Sequence, residues 1–392
     1  MATTFQALIT PKLLRWARER ANATYESIAS RLRVEPQHVA SWERGQFHPT
    51  FRQAHELASF LNIPFGYLYL SSPPTEKLPL PDLRTVTGKR PKKLSPEFRD
   101  TVNDVVLKQQ WYKEYLREEG QKRLEFVGRF SMANEVKEVA VDIQVVLGLD
   151  DTLRSQATTW EDFLTALVAN CESKGILVFR NGVVGNNNYR HLSVREFRGF
   201  AIADDLAPVI FINTQDSRTA QIFTLVHEAA HLWLGESGIS NPNMRTRTSD
   251  PTNRIERFCN KVSAEVLIPE QGFTGNWDSA LEVEQNLQHL SKLYKVSTSV
   301  VLRRAYELDA MTYAEYLHFL KREEAAWKRV RVRRQEGGDF HKLLLSRNSD
   351  SLTRALIAAA MDGRIPSHDA ARLLGVRMDV INKMSERLAA TA

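Results

Sequence analysis

Residues 221–235 read QIFTLVHEAAHLWLG, and this stretch decides the fold. His227 and His231 are four apart. On an α-helix both side chains then point to one face, one turn apart. Two imidazoles so placed can hold one tetrahedral zinc ion, with Zn–N distances of ~2.0–2.1 Å. Glu228 is rotated by about 100° from His227, so it can reach a water beside the ion rather than the ion itself. Ile222, Phe223, Leu225 and Val226 precede the pair, and Leu232, Trp233 and Leu234 follow it. A helix that is apolar nearly all round is a buried helix. Two histidines and a glutamate buried without partners are costly, and a metal ion removes that cost.

The pattern is that of the HExxH metallopeptidases, where the Glu acts as general base. A third protein ligand is needed, with one position left open for water. The extended form HExxHxxGxxH fails, because position 234 is Leu and position 237 is Ser. A carboxylate on a second helix is the remaining common solution. Residues 254–269, RIERFCNKVSAEVLIP, carry an apolar stripe of Ile255, Phe258, Val262 and Val266. Glu256 borders that stripe, with Asn260 one turn on, and is the preferred third ligand. Glu236, Asp250, Glu265 and Glu270 are its rivals. Cys259 could also approach a metal, although a lone core cysteine is the commoner case.

Upstream, 131–147 and 159–173 read as helices. GILVFRNGVV (175–184), EFRGFAIA (196–203) and APVIFIN (207–213) read as strands, and Gly199 marks a bulge or the close approach of another backbone. With helices over 218–234 and 252–268, this is an α+β domain. The segments FTLVHEAAHLWLG and IERFCNKVSAEVLIP resemble the ImmA/IrrE family of metallopeptidases. FRGFAIADDLAPVIFIN also resembles the strands before that family's metal helix. The resemblance covers residues 131–310. It implies a gluzincin-like fold with His227, His231 and Glu256 as zinc ligands, Glu228 as catalytic base, and protein substrates. Characterised members are linked to cleavage of a repressor and release of the genes under its control. Tyr189, His191 and Arg195 are candidates for oxyanion stabilisation, but an ordinary polar loop accounts for them. By analogy, strand 196–203 could pair with an extended substrate.

Residues 11–70 read as four short helices, marked by Leu13, Leu14 and Ala17, by Ile28, Ala29 and Leu32, by Val39 and Trp42, and by Ala54, Leu57, Ala58 and Leu61. Gly45 follows the third, where a left-handed residue is wanted. YESIASRLRVEPQHVASWERG (25–45) resembles the XRE/Cro-type helix-turn-helix. That resemblance sets Gln37, His38 and Ser41 toward base edges and Arg44 toward phosphate. Tyr25, Arg33 and Glu35 depart from the family, which often has Gln, Gly and Ser or Thr there. Tyr25 can still contact phosphate, whereas Glu35 is acidic near the expected backbone. A domain retained for dimerisation or partner docking is the other reading.

The organisation expected is an all-α helix-turn-helix domain (1–72), a proline-rich linker and helix (73–130), an α+β zinc peptidase core (131–270), its helical extension (271–335) and an all-α C-terminal region (336–392). Leu287–Tyr294 and Val296–Leu302 form two helices around a start signal at Ser297–Ser299. Residues 351–361 and 367–389 close the chain, the latter with a helix-turn-helix look around Gly375 that a packing or dimerising hairpin also explains. The 392-residue chain has a net charge of +6, with basic clusters at Lys89, Arg90, Lys92 and Lys93 and at Lys328, Arg329, Arg331, Arg333 and Arg334. They are solvated segments or phosphate contacts. No run of ~18 apolar residues suggests a membrane span. The absence of a signal pattern and the two cysteines, Cys171 and Cys259, suit a reduced cytoplasmic setting. Two functions are then open. One is a zinc endopeptidase, homodimeric through its DNA-binding domain, that regulates transcription by cutting a protein partner such as a repressor. The other is a non-catalytic antitoxin or repressor whose zinc domain captures a toxin or effector.

Overall fold

The computed structural model describes residues 5–74, 94–240, 251–329 and 340–391. It divides into two compact units, Met1–Leu78 with Lys93–Asp100, and a larger one that includes Thr101–Ala392.

The first unit holds α1 (Pro11–Arg20), α2 (Tyr25–Leu32), α3 (Pro36–Glu43) and α4 (Phe51–Phe60), followed by a 3-10 turn at Phe65–Tyr69. Each helix starts where the chemistry dictates. Thr24 and Thr50 accept the N3 amides of Ser27 and Gln53 at 3.2 Å, and each N3 side chain returns the bond to the cap amide. Pro11 and Pro36 open α1 and α3, where a missing N–H costs nothing. The apolar positions read from the sequence are buried, from Leu13 and Leu14 through Trp42 to Leu61. Arg33 ends α2 with φ +56°, the left-handed region that favours glycine. The position the family often fills with Gly therefore keeps a glycine conformation here.

α5 (Pro96–Glu118) belongs to the first unit up to Asp100 and to the second from Thr101. The second unit continues with α6 (Val136–Leu147), α7 (Asp151–Gln156), α8 (Trp160–Ser173), β1 (Leu177–Asn181), β2 (Val183–Val184), β3 (Asn187–His191), β4 (Gly199–Ile202), β5 (Val209–Asn213), α9 (Arg218–Trp233), β6 (Gly238–Ser240) and α10 (Pro251–Leu267). The main sheet has the order β1-β5-β4-β6. β1 and β5 are parallel with Leu177 opposite Val209, while β4 runs antiparallel to β5 and to β6. The single strand expected over 175–184 is two, and the expected polar loop after it is a hairpin, β2 with β3. Gly185, with φ +53°, makes that turn. β4 is paired along both sides, with Gly199 opposite Ile212 and Ser240. The expectation that it offers a free edge to substrate is therefore corrected.

α11 (Glu270–Asn276), α12 (Val283–Tyr294), α13 (Thr298–Glu307) and α14 (Tyr313–Arg329) follow. Ser297 caps α13 by accepting the Val300 amide at 3.3 Å. Leu287, Leu290, Val296, Val300 and Leu302 share one core with α9 and α10, so the extension is part of the same body. Among the described residues the C-terminal region has four helices, α15 (Phe340–Asn348), α16 (Asp350–Met361), α17 (Ser367–Leu374) and α18 (Met378–Thr391), with the last two joined across Gly375 at φ +67°. Glu172 of α8 accepts from the Ser349 hydroxyl and the Ser351 amide, both at 3.0 Å, and from the Asp350 amide at 3.3 Å. The carboxylate thus caps α16 from the peptidase side. Lys108 donates to Asn348 at 2.8 Å, and Arg347 reaches Asn186 and Asn188 beside the hairpin. The cluster at Lys89–Lys93 lies outside the described residues, as do Arg331, Arg333, Arg334 and the side chains of Lys328 and Arg329. Among the described residues no helix is long and apolar enough to cross a membrane.

Candidate metal centre

α9 is the central helix of the second unit, and every residue from Gln221 to Trp233 is buried. Its start is fixed by Ser217, which accepts the Ala220 amide at 3.2 Å. Its end is held by the chain before α6. The amides of Gly128 and Phe130 donate to the carbonyls of Leu232 and Trp233 at 2.9 and 3.1 Å. Trp233 stacks on Phe126 at 4.5 Å and donates to Asp142 at 2.6 Å. Helix α10 packs along α9 through Cys259, Val262 and Val266, with Ile255 and Phe258 against the same core. Glu256, on the border of that stripe, is thereby set against the two histidines.

The Nε2 atoms of His227 and His231 stand 3.2 Å apart. The Glu256 carboxylate lies 3.4 Å from the first and 3.2 Å from the second. A tetrahedral zinc with ligands at ~2.0–2.1 Å has ligand–ligand edges of ~3.3 Å. The three measured edges match that figure. Two imidazoles facing each other through the same nitrogen, with a carboxylate beside both, form a donor set that a divalent cation completes. The protonation states also suit it. Burial holds His227 below its ordinary value, which keeps it neutral, while Asn260 and Glu256 oppose the shift. Burial pushes Glu256 up, but the two imidazoles overcome it and hold the carboxyl at about 2. Neutral imidazole and ionised carboxylate are the forms a metal binds.

Glu228 is fully buried one residue after His227. A Cβ built on Gly199 would come within 2.7 Å of its Oε1, 2.6 Å of Thr224 Cγ2 and 2.9 Å of the Phe211 carbonyl. The sequence signal at Gly199 is thus the close approach of β4 to the carboxylate, which any larger residue would block. The rival carboxylates are used elsewhere or point out. Glu265 pairs with Arg304, which also reaches the Ile268 carbonyl at 3.0 Å. Glu270 pairs with Lys137 at 2.6 Å, Glu236 is exposed, and Asp250 lies outside the described residues. Cys259 is a buried core thiol raised well above its usual range by burial, and the metal-capable group does not include it. Tyr189 stands 95% exposed on β3, and His191 contacts Gln215 at 3.4 Å.

In the first unit, Gln37, His38 and Arg44 are exposed on or just after α3. Ser41 is not. It is buried, and its hydroxyl donates to the His38 carbonyl at 2.6 Å, which corrects its assignment to the exposed groove face. Tyr25 also turns inward, donating to Glu43 at 2.9 Å rather than standing free for phosphate.

Residues 14–68 match the family model for a helix-turn-helix. Residues 171–306 match the M78 peptidase model, described as an IrrE N-terminal-like domain. The chain carries an IrrE-like peptidase domain behind a helix-turn-helix. Residues 348–387, which span α16, α17 and most of α18, match a domain of unknown function (DUF8813). No curated protein matches the chain. The IrrE-like match covers the sheet, α9, α10 and α13, and so encloses all four residues of the candidate centre. What sequence reasoning missed in this domain is β6 and the capping of α16 by Glu172. A three-residue strand has too little pattern to be seen, and Glu172 reads as one more polar residue of α8.

Proposed function

We propose that this protein is a zinc-dependent endopeptidase joined to a DNA-binding domain, and that it regulates transcription by cutting a protein partner such as a repressor. The observation that carries the reading is the triangle of His227, His231 and Glu256, with edges of 3.2–3.4 Å, at the foot of a helix that also bears Glu228. His227, His231 and Glu256 would hold the metal. A zinc ion bound there supplies Lewis-acid activation of a water molecule and of the scissile carbonyl. Glu228 takes a proton from the attacking water as the water oxygen bonds to the carbonyl carbon, then delivers it to the amine nitrogen as the C–N bond breaks. Its neighbours favour that use. Gly199 lets β4 reach the carboxylate, and the buried walls around it exclude competing water. Gln37, His38 and Arg44 would meet the DNA, Arg44 at phosphate and the others at base edges.

The test is recovery of partners from the native host with the wild-type chain and with Glu228→Gln. A peptidase yields an intact partner with the variant and a shortened one with wild type. The same intact partner from both chains supports the antitoxin or repressor reading instead.

A further inference from the structure

α17 and α18 repeat the local geometry of α2 and α3. Arg33 closes α2 at φ +56° and Gly375 closes α17 at φ +67°, both in the left-handed region. Two further turn residues follow each, and the next helix opens at Pro36 and at Met378. The Val34 amide donates to the Ala29 carbonyl at 3.0 Å, and the Val376 amide to the Ala371 carbonyl at 2.9 Å. The buried positions keep one register. Ala29, Leu32, Val39 and Trp42 correspond to Ala371, Leu374, Ile381 and Met384, and all eight are buried. α16 packs against both α17 and α18, which completes a three-helix unit.

The same register recurs at Ser291, Tyr294, Lys295 (φ +55°) and Val301. There the second helix is used for packing, since Val300, Val301 and Leu302 of α13 lie in the peptidase core. α18 differs. Arg377, just before it, and Met378, Asp379, Asn382 and Lys383 on its first two turns are exposed. These are the positions that a helix-turn-helix presents to the major groove. Their chemistry suits duplex DNA. Asn offers a paired amide to adenine, a carboxylate accepts from the cytosine amine, and Arg and Lys neutralise phosphate. Where the first unit has Glu35 in its turn, this one has Arg377. Glu386 stands where the first unit has Arg44, so phosphate neutralisation falls to Arg377 and Lys383.

We propose that α16–α18 form a second DNA-binding unit, with α18 reading the major groove of duplex DNA. Its turn is fixed to the peptidase body. Asn186 donates to the Gly375 carbonyl at 2.7 Å, and Arg347 donates to Asn186 at 2.9 Å. A duplex bound at α18 is therefore held to the body that carries the metal centre. The binding needs neither zinc nor Glu228.

The experiment measures binding of the full chain to a fluorescent duplex pool of random sequence, by anisotropy across a series of salt concentrations. Arg377→Ala/Lys383→Ala should weaken binding by about tenfold or more and lower the salt slope by about two. Arg377→Lys/Lys383→Arg keeps both charges and should keep the slope. Lys292→Ala/Lys321→Ala removes the same charge from exposed positions on α12 and α14 and should change little. The loss at Arg377 and Lys383 should persist in a Gln37→Ala/Arg44→Ala background, which separates this proposal from the role given to α3. If only the α3 substitutions weaken binding, the second unit does not bind DNA and the proposal falls. If only the α18 substitutions do, the proposal stands and the α3 assignment falls. Equal losses from the α18 pair and from the Lys292/Lys321 pair, or no duplex binding by wild type, also overturn it. A face that docks protein instead leaves duplex affinity and salt slope unchanged in Arg377→Ala/Lys383→Ala.

Discussion

Glu43 and Glu256 are both buried carboxylates, 4% and 8% exposed, and the chain surrounds them in opposite ways. Glu43, at the end of α3, receives Arg18 at 2.6 and 3.2 Å and the Tyr25 hydroxyl at 2.9 Å, with Arg15 at 3.7 Å. The chain supplies its own cations, and the carboxylate ties α3 to α1 and α2. Glu256 is set against two imidazoles, of which His227 is kept neutral by burial. Where the counter-charge is a guanidinium, the acid is architecture. Where the neighbours are nitrogen donors at tetrahedral edges, the donor set is one that a divalent cation would complete.

That contrast can be broken at either end. The largest effect belongs to the metal centre. Glu228→Gln should retain zinc and lower the rate of partner cleavage by ~10²–10⁴-fold, the usual worth of a general base. Measured on the partner recovered from the host, an unchanged rate would reject Glu228 as the base. At the other end, Glu43→Ala should strand Arg18 and loosen the α1–α3 contacts by about 3 kcal/mol. Amide exchange across α1–α3 in the full chain should accelerate accordingly, while α9 and α10 keep their protection. Equal protection in variant and wild type would show that the Glu43 pairs are not structural.

Smaller effects sharpen the first unit's role. Gln37→Ala should reduce discrimination between upstream and scrambled duplexes by ~1–3 kcal/mol and leave non-specific binding nearly intact. Arg44→Ala should weaken both duplexes alike and flatten the salt dependence. If Gln37→Ala lowers both equally, α3 does not read bases. The smallest change expected is a gain. Arg33→Gly relieves the +56° backbone at the end of α2 and should stabilise the unit by about 0.5 kcal/mol, since the relief exceeds the entropy that glycine loses on folding. A urea melt in which the variant unfolds earlier would contradict it.

Much of this was legible before any coordinates. A helix apolar on all sides with His227, Glu228 and His231 inside it has few explanations, and the stripe beside Glu256 points to the same candidate site. The four helices of the first unit follow from apolar spacing and from Thr24, Thr50, Pro11 and Pro36 as start signals. What was hidden depends on contacts distant in sequence. Ser41 sits next to Trp42 in a short helix, and small rotations decide whether its hydroxyl faces the groove or the turn above. Tyr25 and Glu43 are 18 residues apart, so their bond has no local trace. β4 looks like an edge until β6 returns from beyond α9 to pair with it. Gly199 was visible as a point of close approach, but its neighbour Glu228 was not.

The central claim is that His227, His231 and Glu256 together hold one zinc ion. Elemental analysis of the purified full chain tests it most directly, with circular dichroism to confirm folding. One zinc per chain is expected in wild type and in Glu228→Gln, and essentially none in folded His227→Ala or His231→Ala. Equal zinc in wild type and in the folded histidine variants would contradict the account.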